Sequence, residues 1–201
     1  MRISLKRLAC ILTCVIFILI LFTGCSFGDS LNKVMDNTSG DPNTTITLNS
    51  TDSKFSIDVP GNWSQLDQSF HEDSLLSVVD NNEQFFIVSM TEDKTLFESG
   101  ITCGTYMSKV LSNMSSAIDD PVTGEIENAT YDNKTACAAN IEGTIKGYGI
   151  AYRVYAIEYD GYFLLLTAWS PLEMKDQAKD TFDKIISTVH VFTNSNVDST
   201  I

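Results

Sequence analysis

The side chains able to do acid–base, nucleophilic or metal chemistry are few. Two histidines occur in 201 residues, His71 and His190, and neither stands at ligand spacing from a cysteine or from the other. His71 lies in Phe70-His71-Glu72-Asp73, where a metal or proton role is conceivable but a solvated loop histidine is the plain expectation. His190 alternates with Val189 and Val191 and is expected to point outward from a sheet edge. Beyond Cys25 the only thiols are Cys103 and Cys137. Both fall on faces that read as core, one on a helix and one on a strand. Two readings stay open for them. One is a disulfide, closing a loop of about 35 residues and worth roughly 3 to 4 kcal/mol in the chain-entropy model. The other is a pair of buried free thiols. Carboxylates pair at Glu72-Asp73, Glu92-Asp93 and Asp119-Asp120 and recur at Glu125 and Glu127. Calcium favours such oxygen ligands, but the EF-hand spacing is missing, so the expectation is a solvated acidic surface with no metal site and no cofactor. There is no H-x-x-x-H, no G-x-S-x-G and no glycine-rich phosphate loop, which leaves hydrolase and nucleotide-binding chemistry without support. No catalytic residue is assigned and no enzyme activity is expected.

Cys25 has a different setting. Arg2, Lys6 and Arg7 precede an uncharged run over residues 8–22, LACILTCVIFILILF. Its 15 residues match the apolar region of an export signal and fall short of the roughly 20 needed to span a bilayer. Thr23 and Gly24, both small, then stand directly before Cys25. The combination resembles the lipobox of bacterial lipoproteins, with one departure: Phe22 stands three before the cysteine, where leucine is commoner, and Leu21 sits one further out. The resemblance implies cleavage before Cys25, a diacylglyceryl group on its thiol, and a place on the outer face of the cell membrane. Two acyl chains anchor stably where one would be marginal. An uncleaved signal anchor is the alternative, and it also leaves the rest of the chain facing outward.

The charge balance narrows the partners. The formal net charge is −13 at pH 7. Residues 1–24 carry three of the 13 basic residues and none of the 26 acidic ones, so without them the balance is −16. Such a surface repels phosphates of nucleic acid and anionic headgroups, and no nucleic-acid partner is expected. Its bland consequence is solubility; binding of a cation or a basic partner is the alternative. Hydrophobic residues make up 43% and charged residues 19% of the chain, which is neither a disordered composition nor that of a coiled coil.

The elements that would position these groups follow from periodicity. Residues 25–43 are rich in Ser, Asn, Asp, Gly and Thr without an apolar period and read as a flexible tether. Residues 44–49 and 54–59 alternate as half-buried strands around the turn Asn49-Ser50-Thr51-Asp52, and Pro60-Gly61-Asn62 ends the second. Residues 75–79 and 85–90 form two more, joined at Asp80-Asn81-Asn82-Glu83. Cys103, Met107, Val110, Leu111, Met114 and Ile118 then make one apolar helical stripe, stopped at Asp119-Asp120-Pro121. Strands are expected again over 123–131 and 134–146 around Asp132-Asn133. Gly147-Tyr148-Gly149 breaks that run, and strands over 150–159 and 162–169 flank the hairpin signal Asp160-Gly161. The last of these, YFLLLTAW, is apolar on both faces and must be covered on both sides. Pro171 opens a second helix whose inner face is Ala178, Phe182, Ile185 and Ile186, and residues 193–201 are a polar tail. Tyr155 and Tyr159 share a face with Arg153 and are the aromatics to check for exposure, although core or cross-strand packing is the commoner role of sheet aromatics.

Residues 55–63, FSIDVPGNW, and the strand over 162–169 followed by a helix resemble the PsbP-like family, which contains extrinsic photosystem subunits and bacterial lipoproteins. The resemblance spans roughly residues 44–192. It implies an α+β fold, an α/β/α sandwich around one antiparallel sheet of about six to eight strands with two main helices, which is also what the periodicity gives. It implies binding or assembly roles rather than catalysis, and no functional residue is carried over; Phe55, Pro60 and Trp63 match as structural positions only. Nothing in the sequence points to a photosystem. The reading is therefore a signal peptide (1–24), a tether (25–43), one domain (44–192) and a tail (193–201). Its role would be that of a non-catalytic binding or assembly module, anchored to the membrane through lipid on Cys25, with an envelope protein or an extracellular ligand as its partner. Small-molecule or cation binding is the alternative.

Overall fold

The structure is a computed structural model and describes residues 40–66, 71–80 and 85–192. The export signal with Cys25, nearly all of the tether, Phe70, the loop at 81–84 and the tail lie outside the described residues. Among the described residues no helix is long and apolar enough to cross a membrane.

Two antiparallel sheets and two helices make the domain. β1 (Thr45–Asn49), β2 (Phe55–Pro60) and β11 (His190–Val191) form a three-stranded sheet with β2 in the middle. The main sheet has eight strands: β3 (Trp63–Gln65), β4 (Leu76–Asp80), β5 (Phe85–Asp93), β6 (Asp119–Thr123), β7 (Glu127–Tyr131), β8 (Lys134–Ile145), β9 (Tyr148–Glu158) and β10 (Tyr162–Pro171). Their order is β3-β4-β5-β10-β9-β8-β6, with β7 also beside β8. The α+β sandwich is thus as expected, except that the first two strands leave the main sheet and β2 pairs with β11 instead.

β10 shows why its sequence does not alternate. Phe163, Leu165 and Trp169 point to one face, into a core shared with α1 (Cys103–Ser115). Leu164, Leu166 and Ala168 point to the other, into a core shared with α2 (Lys175–Ile186) and the small sheet. A strand buried on both faces gains apolar burial on either side, so apolar residues fill most positions, with Thr167 and Ser170 as buried polar exceptions. Tyr106 of α1 stacks on Phe163 at 4.1 Å between centroids, and Phe182 of α2 meets Phe85 edge-on at 5.6 Å. Phe55 and Trp63, each 2% exposed, lie in the second core, as a packed strand ending requires.

Four boundaries differ from the sequence expectation, each for a local reason. α1 ends at Ser115, and Asp119-Asp120-Pro121 starts β6 instead of merely stopping a helix. Proline is tolerated there because β6 is an edge strand whose register to β8 shifts between Asp119 and Val122. The expected strand over 123–131 is split into β6 and β7, which pair with the second and first halves of β8. The β8–β9 turn is Lys146-Gly147, both at positive φ (52° and 83°), the signature of a two-residue type I′ hairpin, so Tyr148 and Gly149 belong to β9 rather than to a break. Pro171 closes β10 in extended geometry (φ −52°, ψ 142°), and a 3₁₀ turn at Leu172–Met174 intervenes before α2.

Candidate functional site

Four groups of polar or reactive side chains emerge. The first is the thiol pair. Cys103 opens α1, where the Thr102 side chain caps Thr105 N–H. The Cys103 backbone N–H donates to Glu158 Oε2 at 2.9 Å, and Lys94 Nζ holds the other oxygen of that carboxylate at 2.9 Å. A carboxylate at a helix N-terminus is favourably placed against the helix dipole. Cys137 sits on β8 opposite Ala156 of β9, and Cys103 Sγ donates to Ala156 O at 3.3 Å. Both cysteines are buried, and the structure draws no bond between them. Burial and the contact with Cys137 push the Cys103 thiol far up from its ordinary range.

The second is a charge network around Arg153, the only arginine after residue 7. Its side chain is 4% exposed. Nη1 and Nη2 grip Glu127 at 2.9 and 2.8 Å, Nε donates to Asp183 Oδ1 at 3.1 Å, and Nη1 also reaches Asn140 Oδ1 at 3.2 Å. Tyr155 OH and Lys179 Nζ complete Asp183, at 2.7 and 2.8 Å. Burial works against the Arg153 charge, but the Glu127 bond and the Asp183 carboxylate outweigh it and raise its pKa. The Arg153 bond holds Glu127 below the usual carboxylate range. Burial would raise Asp183, yet Lys179, Tyr155 and Arg153 bring it down. Tyr155 and Tyr159, 0% and 8% exposed, are core residues and line no open surface. The sequence signal for this cluster was a lone arginine within an apolar strand; its partners Glu127 and Asp183 come from elements with no local mark.

Third are the histidines. His190 is exposed at the edge of the small sheet, as expected, with Nδ1 at 3.4 Å from Asp132. His71 is not a solvated loop residue: it is 7% exposed. Ser74 N–H bonds back to His71 O, and Leu75 next to it bonds Thr51 and Ser89 through its backbone; the imidazole lies inward, where Nδ1 accepts from Asp73 N–H at 3.1 Å. Among the described residues no three His, Cys, Asp or Glu groups are placed to hold a metal ion.

The fourth feature is concave. Where the small sheet meets the ends of β5 and β10, a groove of about 690 Å³ opens, within the range of ligand pockets. Its apolar lining includes Phe55, Leu75, Met90, Leu164, Tyr162 and Val191; its charged lining is Asp52, Glu72, Asp73, Glu92 and Asp93 against Lys54. Lys54 pairs with Asp52 at 3.1 Å. Burial would raise Asp52, but hydrogen bonds from Ser50 and Lys54 outweigh it and lower its pKa. The Thr95 backbone N–H holds Asp93 low. Two of the acidic pairs noted in the sequence thus converge here, while Asp119, Asp120 and Glu125 lie exposed at the far edge of the main sheet. An apolar lining edged by carboxylates suits a ligand or segment bearing both a cationic and an apolar group.

No protein-family model matches the chain, and no curated protein is similar to it in sequence. Solved structures share its fold. The solution structure of cyanobacterial PsbP (CyanoP) from Synechocystis sp. PCC 6803 superposes with a TM-score of 0.53 at 13% identity, covering 74% of this chain and 93% of that one. LpqN of Mycobacterium tuberculosis, described as involved in cell envelope biogenesis, gives 0.52 at 14% identity, covering 75% and 91%. The PsbP-like fold expected from residues 55–63 and 162–169 is therefore the fold of this chain.

Proposed function

We propose that this chain is an extracytoplasmic lipoprotein, anchored through Cys25, that serves the cell envelope as a non-catalytic binding or assembly module. The basic start, the 15-residue apolar run and the small residues before Cys25 support the address. The PsbP-like fold supports the class of role, and LpqN offers an envelope-linked precedent for that fold. The groove carries the binding half of the reading: it is a concave surface where apolar and acidic side chains converge, and its partner is an envelope protein presenting a basic, partly apolar segment. A photo-crosslinking residue at Thr51, in the groove lining, is compared in native membranes with one at Val122, 66% exposed on the opposite edge. One reproducible adduct from Thr51 and not from Val122, lost with Thr91→Trp in the groove, is the expected result; equal labelling from both positions rejects the groove as the binding surface. The address is tested separately. Cys25→Ser is expected to lose the acyl mass and leave the membrane fraction, and unchanged mass and fractionation would reject lipidation.

The size of the groove also favours a second reading, a small cationic ligand. Native mass spectrometry of the purified protein would then show a non-protein adduct that Thr91→Trp removes.

A further inference from the structure

We propose that Cys103 and Cys137 are joined by a disulfide in the exported protein, stapling the start of α1 to the middle of the main sheet. The inference rests on the extracytoplasmic address proposed above, since disulfides persist in oxidising compartments.

The geometry is specific to these two residues. Beyond Cys25 the chain has no other cysteine. The Cys103 Sγ lies over the β8–β9 pair that contains Cys137, bonding to O of Ala156, the residue directly across from Cys137. Both side chains lie in the same buried cluster between α1 and the main sheet. Closure therefore joins two elements that already pack against each other. Both residues are almost fully buried, at 2% and 1% exposure. In the finished fold an oxidant cannot reach either sulfur, and burial suppresses the thiolate that exchange requires. The bond consequently forms while the chain folds, before α1 docks.

The oxidant is a disulfide, of a small molecule or of an oxidoreductase. One cysteine thiolate attacks a sulfur of R–S–S–R, giving a mixed disulfide and releasing one thiol. The second cysteine thiolate then attacks the cysteine sulfur of that mixed disulfide and expels the other thiol. Two electrons pass from the cysteine pair to the reagent, two R–SH leave with the two protons, and Cys103–S–S–Cys137 remains.

Two measurements test this on the full chain. In the first, protein from native membranes is alkylated in denaturant with and without reductant and mapped by peptide mass. The expected result is no label at residues 103 and 137 until reductant is added, and a cross-linked peptide pair 2 Da lighter than its reduced parts. In the second, the purified chain is unfolded and reduced, then refolded in a glutathione redox buffer. Closure of this pair, with a rise in Tm of about 10 °C that reductant abolishes, is expected; Cys103→Ala and Cys137→Ala should each lose the reductant sensitivity. Glutathione adducts or free thiols after oxidative refolding overturn the proposal. Closure on refolding combined with free thiols in native protein overturns the disulfide in vivo and places the failure in the address, not in the thiol geometry.

Discussion

Arg153→Met tests the charge network most directly. Methionine fills similar volume, so the loss is electrostatic rather than a cavity. The substitution removes four charge-assisted bonds, two to Glu127, one to Asp183 and one to Asn140. Each is worth about 1.5 to 3 kcal/mol when made to a charged group. Two effects reduce the sum. Glu127 is 50% exposed and returns to water, and the desolvation of the guanidinium is recovered. Asp183, 31% exposed, keeps Lys179 and Tyr155. A net loss of about 3 kcal/mol remains, a fall of about 1.5 M in the urea midpoint if m is about 2 kcal/mol/M. The pH dependence adds an independent readout. Glu127 and Asp183 both have folded-state pKa values below 4.5 and 3.8. A depressed carboxylate contributes stability that is present above the unfolded value and is lost as pH falls through the folded one. The wild type should therefore weaken steadily below about pH 4.5, and Arg153→Met should weaken less over the same window because its carboxylates lack the partner that depressed them. Urea unfolding at pH 7, 4.5 and 3.5 measures both quantities. A loss under 1 kcal/mol at pH 7 together with an unchanged acid slope would refute the network as a source of stability.

Other outcomes follow from packing and backbone. Phe182→Ala, which removes a ring 1% exposed and edge-on to Phe85, should cost about 3 to 5 kcal/mol by urea unfolding. Gly143→Ala should loosen the β6 edge, because a Cβ there would meet Asp119 O at 2.7 Å; faster amide exchange in residues 119–123 with little change elsewhere is the expected signature. Gly147→Ala places a side chain at φ 83° in the β8–β9 hairpin and should cost about 1 kcal/mol, whereas Gly147→Asn should cost less.

What was readable in the sequence was what adjacent residues encode. The double-sided apolar run of β10, the hairpin at Asp132-Asn133 and the stripe from Cys103 to Met114 are each written within a dozen positions, and each appears as expected. Misjudged boundaries sit where tertiary context overrides a local signal. Pro121 reads as a stop, yet an irregular edge strand has no ladder bond for it to break. Pro171 reads as a helix opener, yet its fixed φ also suits the last residue of a strand, and β10 extends to it because Ile150 lies opposite. β1 and β2 read as ordinary strands, but nothing in them shows that the second partner of β2 is a two-residue strand some 130 positions later.

The same distinction explains the candidate sites. Cys103 and Cys137 were visible as core residues because each lies on its own periodic face; that they share one core cluster depends on how α1 lies across β8 and β9, which no periodicity reports. The groove is harder still, since it draws on the β1–β2 turn, the 72–75 segment, the end of β5, the start of β10 and β11. Residues that line it obey local rules: Leu164 is one more apolar residue of β10, and Asp93 is a cap for the 3₁₀ turn at Lys94–Leu96. Only assembly turns a solvated acidic pair and a strand end into one surface. Charge is the exception. A balance of −16 over residues 25–201 read first as solubility, with a cation or basic partner as the alternative, and the groove proposed above gives that alternative a place where apolar contact can add to it. Long-range steering raises encounter rates, and desolvated apolar contact sets lifetime. Salt should therefore slow association with a basic partner far more than it speeds dissociation, whereas Thr91→Trp should act mainly on dissociation.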